Sequence, residues 1–229
     1  MKILVRNDDK KFSNGYHVIN VIPIAGVDFN YKESMSSDYT VIITGLVDPF
    51  GYIYVVDMFR KRVNIEDFPK YFFSYYRKWG WEDVGIDANA NQIVMKPFLE
   101  VYYNLQYSSL FPDDDSEDTI GAPAITPLEN HGQKKLTVIE SVLTAEWNNI
   151  RFYERMPDFE ALKKELKDIR NSPNDDIGDA MANMVRVKTV PRIIDVRRID
   201  PSTGSIAKTT PGITDLIYGM NEFDRIMAT

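Results

Sequence analysis

Ile24-Ala25-Gly26-Val27-Asp28-Phe29-Asn30 is a short apolar run that delivers one carboxylate, Asp28, where the chain should break into a loop. Two later segments match it. Val84-Gly85-Ile86-Asp87 is another apolar run ending in an aspartate, and Asp175-Asp176-Ile177-Gly178-Asp179-Ala180 is an acidic cluster opening an apolar helix. Carboxylates far apart in sequence, each at the end of a buried element, suit a site built to hold divalent metal.

Outward from Asp28, residues 18–28 read as a strand, and Pro23 within it predicts an edge or a bulge. Residues 40–47 are β-branched and predict a strand. Asp48-Pro49-Phe50-Gly51 is a turn, and 52–59 is the return strand, so the pattern is an antiparallel meander. Asn64 predicts the cap of a helix whose buried stripe is Ile65, Phe68, Phe72, Tyr75, Tyr76 and Trp79, ended by Gly80. A strand over 83–87 follows, and this strand–helix–strand order predicts that it joins the sheet parallel to a neighbour.

Beyond it the chain predicts a helix over 92–107 containing Pro97, an acidic solvated loop around 112–118, and a short strand over 124–128. A helix over 134–147 turns Leu136, Ile139, Leu143 and Trp147 inward. An extended piece covers 150–153. Asp158 predicts the cap of a helix with Phe159, Leu162, Leu166 and Ile169 inward and a Glu160/Lys164 pair outside. A helix over 176–188 comes next, then a hairpin around 200–204 and an amphipathic stretch over 213–226. The chain divides into a linker or arm (1–16), an α/β domain (17–188) and a C-terminal extension (189–229).

The 229 residues are 44% hydrophobic and 27% charged, enough for one sizeable core. The absence of cysteine excludes disulfides and thiolate metal sites. No apolar run reaches the roughly 20 residues of a membrane span, and the N-terminus lacks a signal-peptide core, so no membrane partner is expected. The net charge of -7 argues against non-specific nucleic-acid binding, though an acidic metal site would itself contribute to it. No P-loop pattern occurs, so an ATPase, if one works with this chain, is a further domain or a separate chain.

Hydrolysis of a phosphodiester by two metals needs oxygen ligands on rigid elements around two hard cations. Asp28 and Asp87 are expected on neighbouring strands at similar height. Asp176 and Asp179, three apart, share one helix face that Asn183 continues, while Met181, Met184 and Val185 face the sheet. The plainer reading of Asp175 and Asp176 is a helix N-cap and a first-turn anion.

The order of these elements is that of the ribonuclease-H-like fold, and the chain resembles the nuclease domain of the large terminase subunit of tailed bacteriophages. The resemblance runs over about 22–188. It is carried by Gly26-Val27-Asp28, Ser37-Asp38-Tyr39-Thr40-Val41, Gly51-Tyr52-Ile53-Tyr54-Val55-Val56-Asp57, Val84-Gly85-Ile86-Asp87-Ala88-Asn89, the helix with Lys134 and Lys135, Ile150-Arg151-Phe152, and the Asp175–Asp179 cluster. It implies an α/β mixed sheet, a three-strand antiparallel meander plus parallel strands, flanked by helices.

It further implies a divalent-metal-dependent endonuclease that cuts concatemeric viral double-stranded DNA during genome packaging, with two Mg²⁺ or Mn²⁺ ions activating water and stabilising the leaving 3′ oxygen. By the same resemblance Asp28 is the ligand shared by both metals, and Asp87, Asp176 and Asp179 complete the set, with Asp175 and Asp38 as auxiliary candidates. Lys134 or Lys135 would contact the scissile phosphate, or simply form an exposed helix start. His131 is a general-base candidate or a surface histidine. Arg60-Lys61-Arg62, Arg77-Lys78 and Arg197-Arg198 are the candidate basic patches. The implied partners are the terminase ATPase domain, the portal and the small terminase subunit, in the cytoplasm of the infected host and at the procapsid. The alternatives are a non-catalytic docking module of the packaging motor, or a resolvase- or transposase-like nuclease on the same fold. Where the family commonly has Asp-Pro after its first strand, this chain has Asp28-Phe29-Asn30.

Overall fold

The computed structural model describes residues 2–7, 15–30, 39–88, 95–110, 123–130, 132–172, 175–190, 197–199 and 206–207. In chain order the elements are β1 (Lys2–Asn7), β2 (Gly15–Asn20), β3 (Ile22–Asp28), β4 (Thr40–Val47), β5 (Ile53–Lys61), α1 (Phe68–Trp79), β6 (Asp83–Asp87) and α2 (Met95–Leu110). Then come β7 (Ala124–Leu128), α3 (Lys135–Glu146), β8 (Ile150–Phe152), α4 (Phe159–Lys167), α5 (Asp176–Arg186), β9 (Arg197–Ile199) and β10 (Ile206–Ala207). A short 3-10 turn, Trp147–Asn149, joins α3 to β8.

The main sheet has six strands in the order β7-β6-β3-β4-β5-β8. The meander β3-β4-β5 is antiparallel, β6 joins β3 in parallel, β7 joins β6 in parallel, and β8 extends the far edge parallel to β5. This mixed sheet, an antiparallel meander with parallel strands added and helices flanking it, has the order expected of a ribonuclease-H-like fold. β3 is thus a central strand, and the edge expected from Pro23 is not one. Pro23 sits one residue before the parallel ladder to β6 begins at Ile24, so its missing N–H falls at the strand's open end.

Strand alternation divides the core between the two faces. Ile24, Val41 and Ile43 pack with Ile139, Leu162, Ile177 and Met184 from α3, α4 and α5. Ala25, Val27 and Ile42 pack with Phe68, Phe72, Tyr76 and Leu99 from α1 and α2. Phe29, the residue after Asp28, joins that second core, its ring centroid 4.6 Å from that of Phe68. Burial of this ring gives a physical reason for an aromatic residue at this position.

Local signals were realised with shifts. Asn64 Oδ1 accepts from Asp67 N at 2.7 Å, capping a turn that precedes α1 rather than α1 itself. Gly80 ends α1 in the left-handed conformation. Asp158 stands at the α4 N-cap but its side chain makes no cap bond, and Glu160 pairs with Lys163, not Lys164. Trp147 is 47% exposed, because the 3-10 turn carries it off the buried face that Ile139 and Leu143 share.

A second, smaller sheet has the order β1-β2-β9-β10, all antiparallel. Part of the stretch read as a linker is therefore paired strand, and the β9–β10 pairing fits the hairpin read around 200–204. The acidic stretch at 112–118 and the amphipathic stretch at 213–226 lie outside the described residues. Among the described residues no helix is long and apolar enough to cross a membrane.

Candidate active site

The site begins with strand register. The β3–β6 ladder pairs Ile24 with Asp83 and Val27 with Ile86, which brings Asp28 and Asp87 abreast at the carboxyl ends of adjacent parallel strands. Alternation puts both on the α5 side, since Val27 and Ile86 belong to the α1/α2 core. Helix α5 lies against these strands at backbone distance. A Cβ at Gly26 would stand 1.9 Å from the Ala180 carbonyl oxygen, and one at Gly85 would stand 2.3 Å from that of Asn183. The glycines let the helix approach closely enough to bring its acidic end to the strand ends.

Residues 176–185 are all buried, so α5 has no solvated face. Met184 packs on Gly26 and Gly45, as expected of the sheet-facing side. Asn183 also meets the sheet, donating from Nδ2 to the Val27 carbonyl at 3.1 Å. The two-faced helix read from sequence is instead enclosed, with α3 and α4 covering what β3, β4 and β6 do not.

The N-terminus of α5 is capped from a distance. Glu165 of α4 accepts from Ile177 N and Gly178 N, both at 2.8 Å through Oε1. Asp175, at the N-cap position, makes no side-chain cap bond. The capping bonds expected of Asp175 are made by Glu165 instead, while Asp176 stands in the first turn as the plainer reading has it. Asp176 Oδ2 accepts from Tyr39 N at 3.0 Å, and Asp175 pairs with Lys135 at 3.4 Å. Burial pushes the Glu165 carboxyl up to about 7, against the pull of the two N–H donors. Glu165→Ala is expected to lower stability by about 2–3 kcal/mol, because two buried N–H groups lose a shared acceptor. Glu140→Ala, which breaks an exposed pair with Arg170, should leave stability nearly unchanged. Urea midpoints compare them, and equal losses would contradict the capping account.

Three buried aspartates show how differently this fold treats a carboxylate. Asp48 accepts from Phe50 N, Tyr52 N and the Tyr54 hydroxyl. Asp57 accepts from Met58 N, Lys78 Nζ and Trp79 Nε1. Asp28 is 6% exposed and receives no hydrogen bond from the described residues. Its carboxyl is pushed up to about 7, first by burial and further by Asp176, Asp175 and Asp87, with Lys135 opposing. The Lys135 ammonium forms ion pairs with Asp175 and Asp179. Burial works against its charge, but Asp28, Asp175 and Asp176 overcome that and hold it above the usual lysine range.

Asp28, Asp175, Asp176 and Asp179 are thus brought together around Lys135, and Asp87 stands beside Asp28, as their electrostatic effects and ion pairs record. Lys134, its neighbour, is exposed and stands outside the cluster. Asp38 and His131 lie outside the described residues. The candidate ligand atoms are carboxylate oxygens, which suit a hard cation such as Mg²⁺ or Mn²⁺, and a buried carboxylate without a hydrogen-bond donor among the described residues suits a ligand role. Among the described residues no three acidic or histidine side chains are drawn tightly enough to enclose an ion, and Lys135 supplies the counter-charge instead.

Other contributors carry no local sequence signal. Asn130 Nδ2 donates to Asp87 Oδ2 at 3.5 Å, and Arg186 Nη1 holds Asn130 Oδ1 at 3.1 Å. Of the basic patches, Lys78 is committed to Asp57, and Arg197 and Arg198 lie on β9. Arg60 stacks 3.5 Å over the Tyr39 ring and, with Lys164, Lys167 and Glu165, lines a cleft of about 660 Å³ beside the capped end of α5.

No family model matches the chain, and no curated protein does. Among solved structures, the chain is similar to the yeast mitochondrial Holliday junction resolvase Ydc2, with a TM-score of 0.36 and 12% identity over 71% of this chain and 75% of that one.

Proposed function

We propose that this chain is a divalent-metal-dependent endonuclease, and more finely a terminase-type nuclease that cuts concatemeric double-stranded viral DNA during packaging. The observation that carries the nuclease reading is Asp28: a buried carboxylate with no hydrogen-bond donor among the described residues, beside Asp87 and facing the acidic end of α5. A carboxylate that only stabilised the fold would be supplied with donors, as Asp48 and Asp57 are. The packaging assignment rests on the resemblance of the ordered motifs, and the ATPase domain, portal and small subunit enter as partners on that ground.

Asp28, Asp87, Asp176 and Asp179 would hold Mg²⁺ or Mn²⁺, which supplies Lewis-acid stabilisation and a nucleophile usable at neutral pH. The remaining work falls to the chain. Two strand ends and a capped helix start fix those carboxylates in place, so that the position of a cation held by them would be fixed too. Lys135 presents positive charge at the same place for a phosphate oxygen. Arg60, Lys164 and Lys167 along the adjoining cleft suit the nucleic-acid backbone.

Supercoiled plasmid incubated with Mn²⁺ or Mg²⁺ should be nicked and linearised, and EDTA should stop it. No cleavage with either metal would refute the enzyme reading. Linear duplex and a four-way junction, offered side by side, separate the finer readings: a terminase-type enzyme should show little preference for the junction.

A further inference from the structure

We propose that Lys135 is an internal counter-ion that competes with divalent cations for the carboxylate cluster, so that metal affinity is set by how readily the chain's own ammonium withdraws. The inference rests on the metal-dependent reading above and specifies how this site is regulated.

The geometry around Lys135 carries it. Its ammonium pairs with Asp179 and with Asp175 Oδ1, the latter at 3.4 Å. These are the carboxylates that a metal would need. A hard dication and an ammonium cannot both lie among the same oxygens without strong repulsion, so one must give way. At Asp57 a single lysine faces a single carboxylate that two further donors also serve. Lys135 is one ammonium facing Asp28, Asp175, Asp176 and Asp179, so a cation of higher charge would be held more strongly among the same carboxylates.

Lys135 can also leave. Its side chain is 38% exposed, so water reaches it. It is the first residue of α3, where the N-cap residue, Lys134, makes no side-chain cap bond. Ile139 and Leu143 anchor the helix in the core one turn and two turns further on. The flexible four-carbon stem can therefore swing out while α3 stays in place.

Mn²⁺ binding by titration calorimetry at pH 8, without DNA, tests this on the full chain. Lys135→Met should bind Mn²⁺ about 10-fold tighter than the parent, and Lys135→Arg, which keeps the competing charge, should stay within about threefold of it. Metal-free Lys135→Met should melt below the parent and recover with saturating Mn²⁺. If Met at this position unfolds the metal-free chain, Lys135→Gln repeats the measurement with a polar side chain. A parent that binds Mn²⁺ while neither neutral variant binds it more tightly overturns the counter-ion role and leaves the metal reading standing. Absence of binding in the parent and in the neutral variants overturns the metal reading, and this inference with it.

Discussion

Asp28→Asn is expected to abolish metal-dependent cleavage while making the metal-free protein more stable at pH 8. Asparagine keeps the size of the side chain and removes the charge. On the proposed reading the lost ligand should cost at least about 100-fold in cleavage rate, the equivalent of roughly 3 kcal/mol of barrier. The stability effect runs the other way because the folded state holds the Asp28 carboxyl at about 7 rather than at the ordinary 3.8. Between those values the folded chain binds a proton that the unfolded chain has released, so the parent loses stability as pH rises from about 4 through 7. The asparagine variant lacks that loss. Its advantage over the parent should grow by roughly 2–3 kcal/mol between pH 5 and pH 8, measured in EDTA. Glu165 has a raised carboxyl as well, but it is present in both proteins and drops out of the difference. Denaturant melts at the two pH values, alongside plasmid nicking, read both effects. An advantage that does not change with pH would contradict the electrostatic account, and undiminished nicking would contradict the ligand role.

Gly26→Ala is expected to be the most damaging glycine-to-alanine change among the described residues. The added carbon would meet the backbone of α5 at Ala180 and Met184, the nearest atom at 1.9 Å. Backbone cannot rotate aside, so either the helix lifts from β3 or the chain fails to fold, at a cost of about 4 kcal/mol or more. Gly178→Ala is the contrast. Its added carbon would meet the Ile169 Cδ1 atom at 2.7 Å, the end of a flexible side chain. That change should cost little, with alanine's better helix propensity offsetting the crowding. Thermal melts of the two variants decide it, and equal stability would mean that α5 does not depend on close approach to the strand. Any Gly26→Ala protein that does fold should also lose cleavage, because lifting α5 draws Asp176 and Asp179 away from Asp28.

Strand alternation and the placing of Asp28, Asp87, Asp176 and Asp179 at the ends of their elements were legible in the sequence. Both follow from periodicity and from apolar runs that break at a charge, which are properties of neighbouring residues. The meander, the parallel fourth strand and the fifth strand follow from the same local patterns together with connection length. The identity of the helix cap was not legible, because Glu165 lies on a different helix from the N–H groups it serves. Nor was the enclosure of α5, since a helix pattern shows which residues are apolar and not how many neighbours will cover them. Lys134 and Lys135 are equivalent as sequence, and only the rotation of α3 leaves one in water and turns the other into the acidic cluster. Asp28 itself was found by its place at the end of an apolar run. That it lacks donors among the described residues where Asp48 and Asp57 have them depends on groups distant in the chain, and tertiary packing alone brings such groups near or keeps them away.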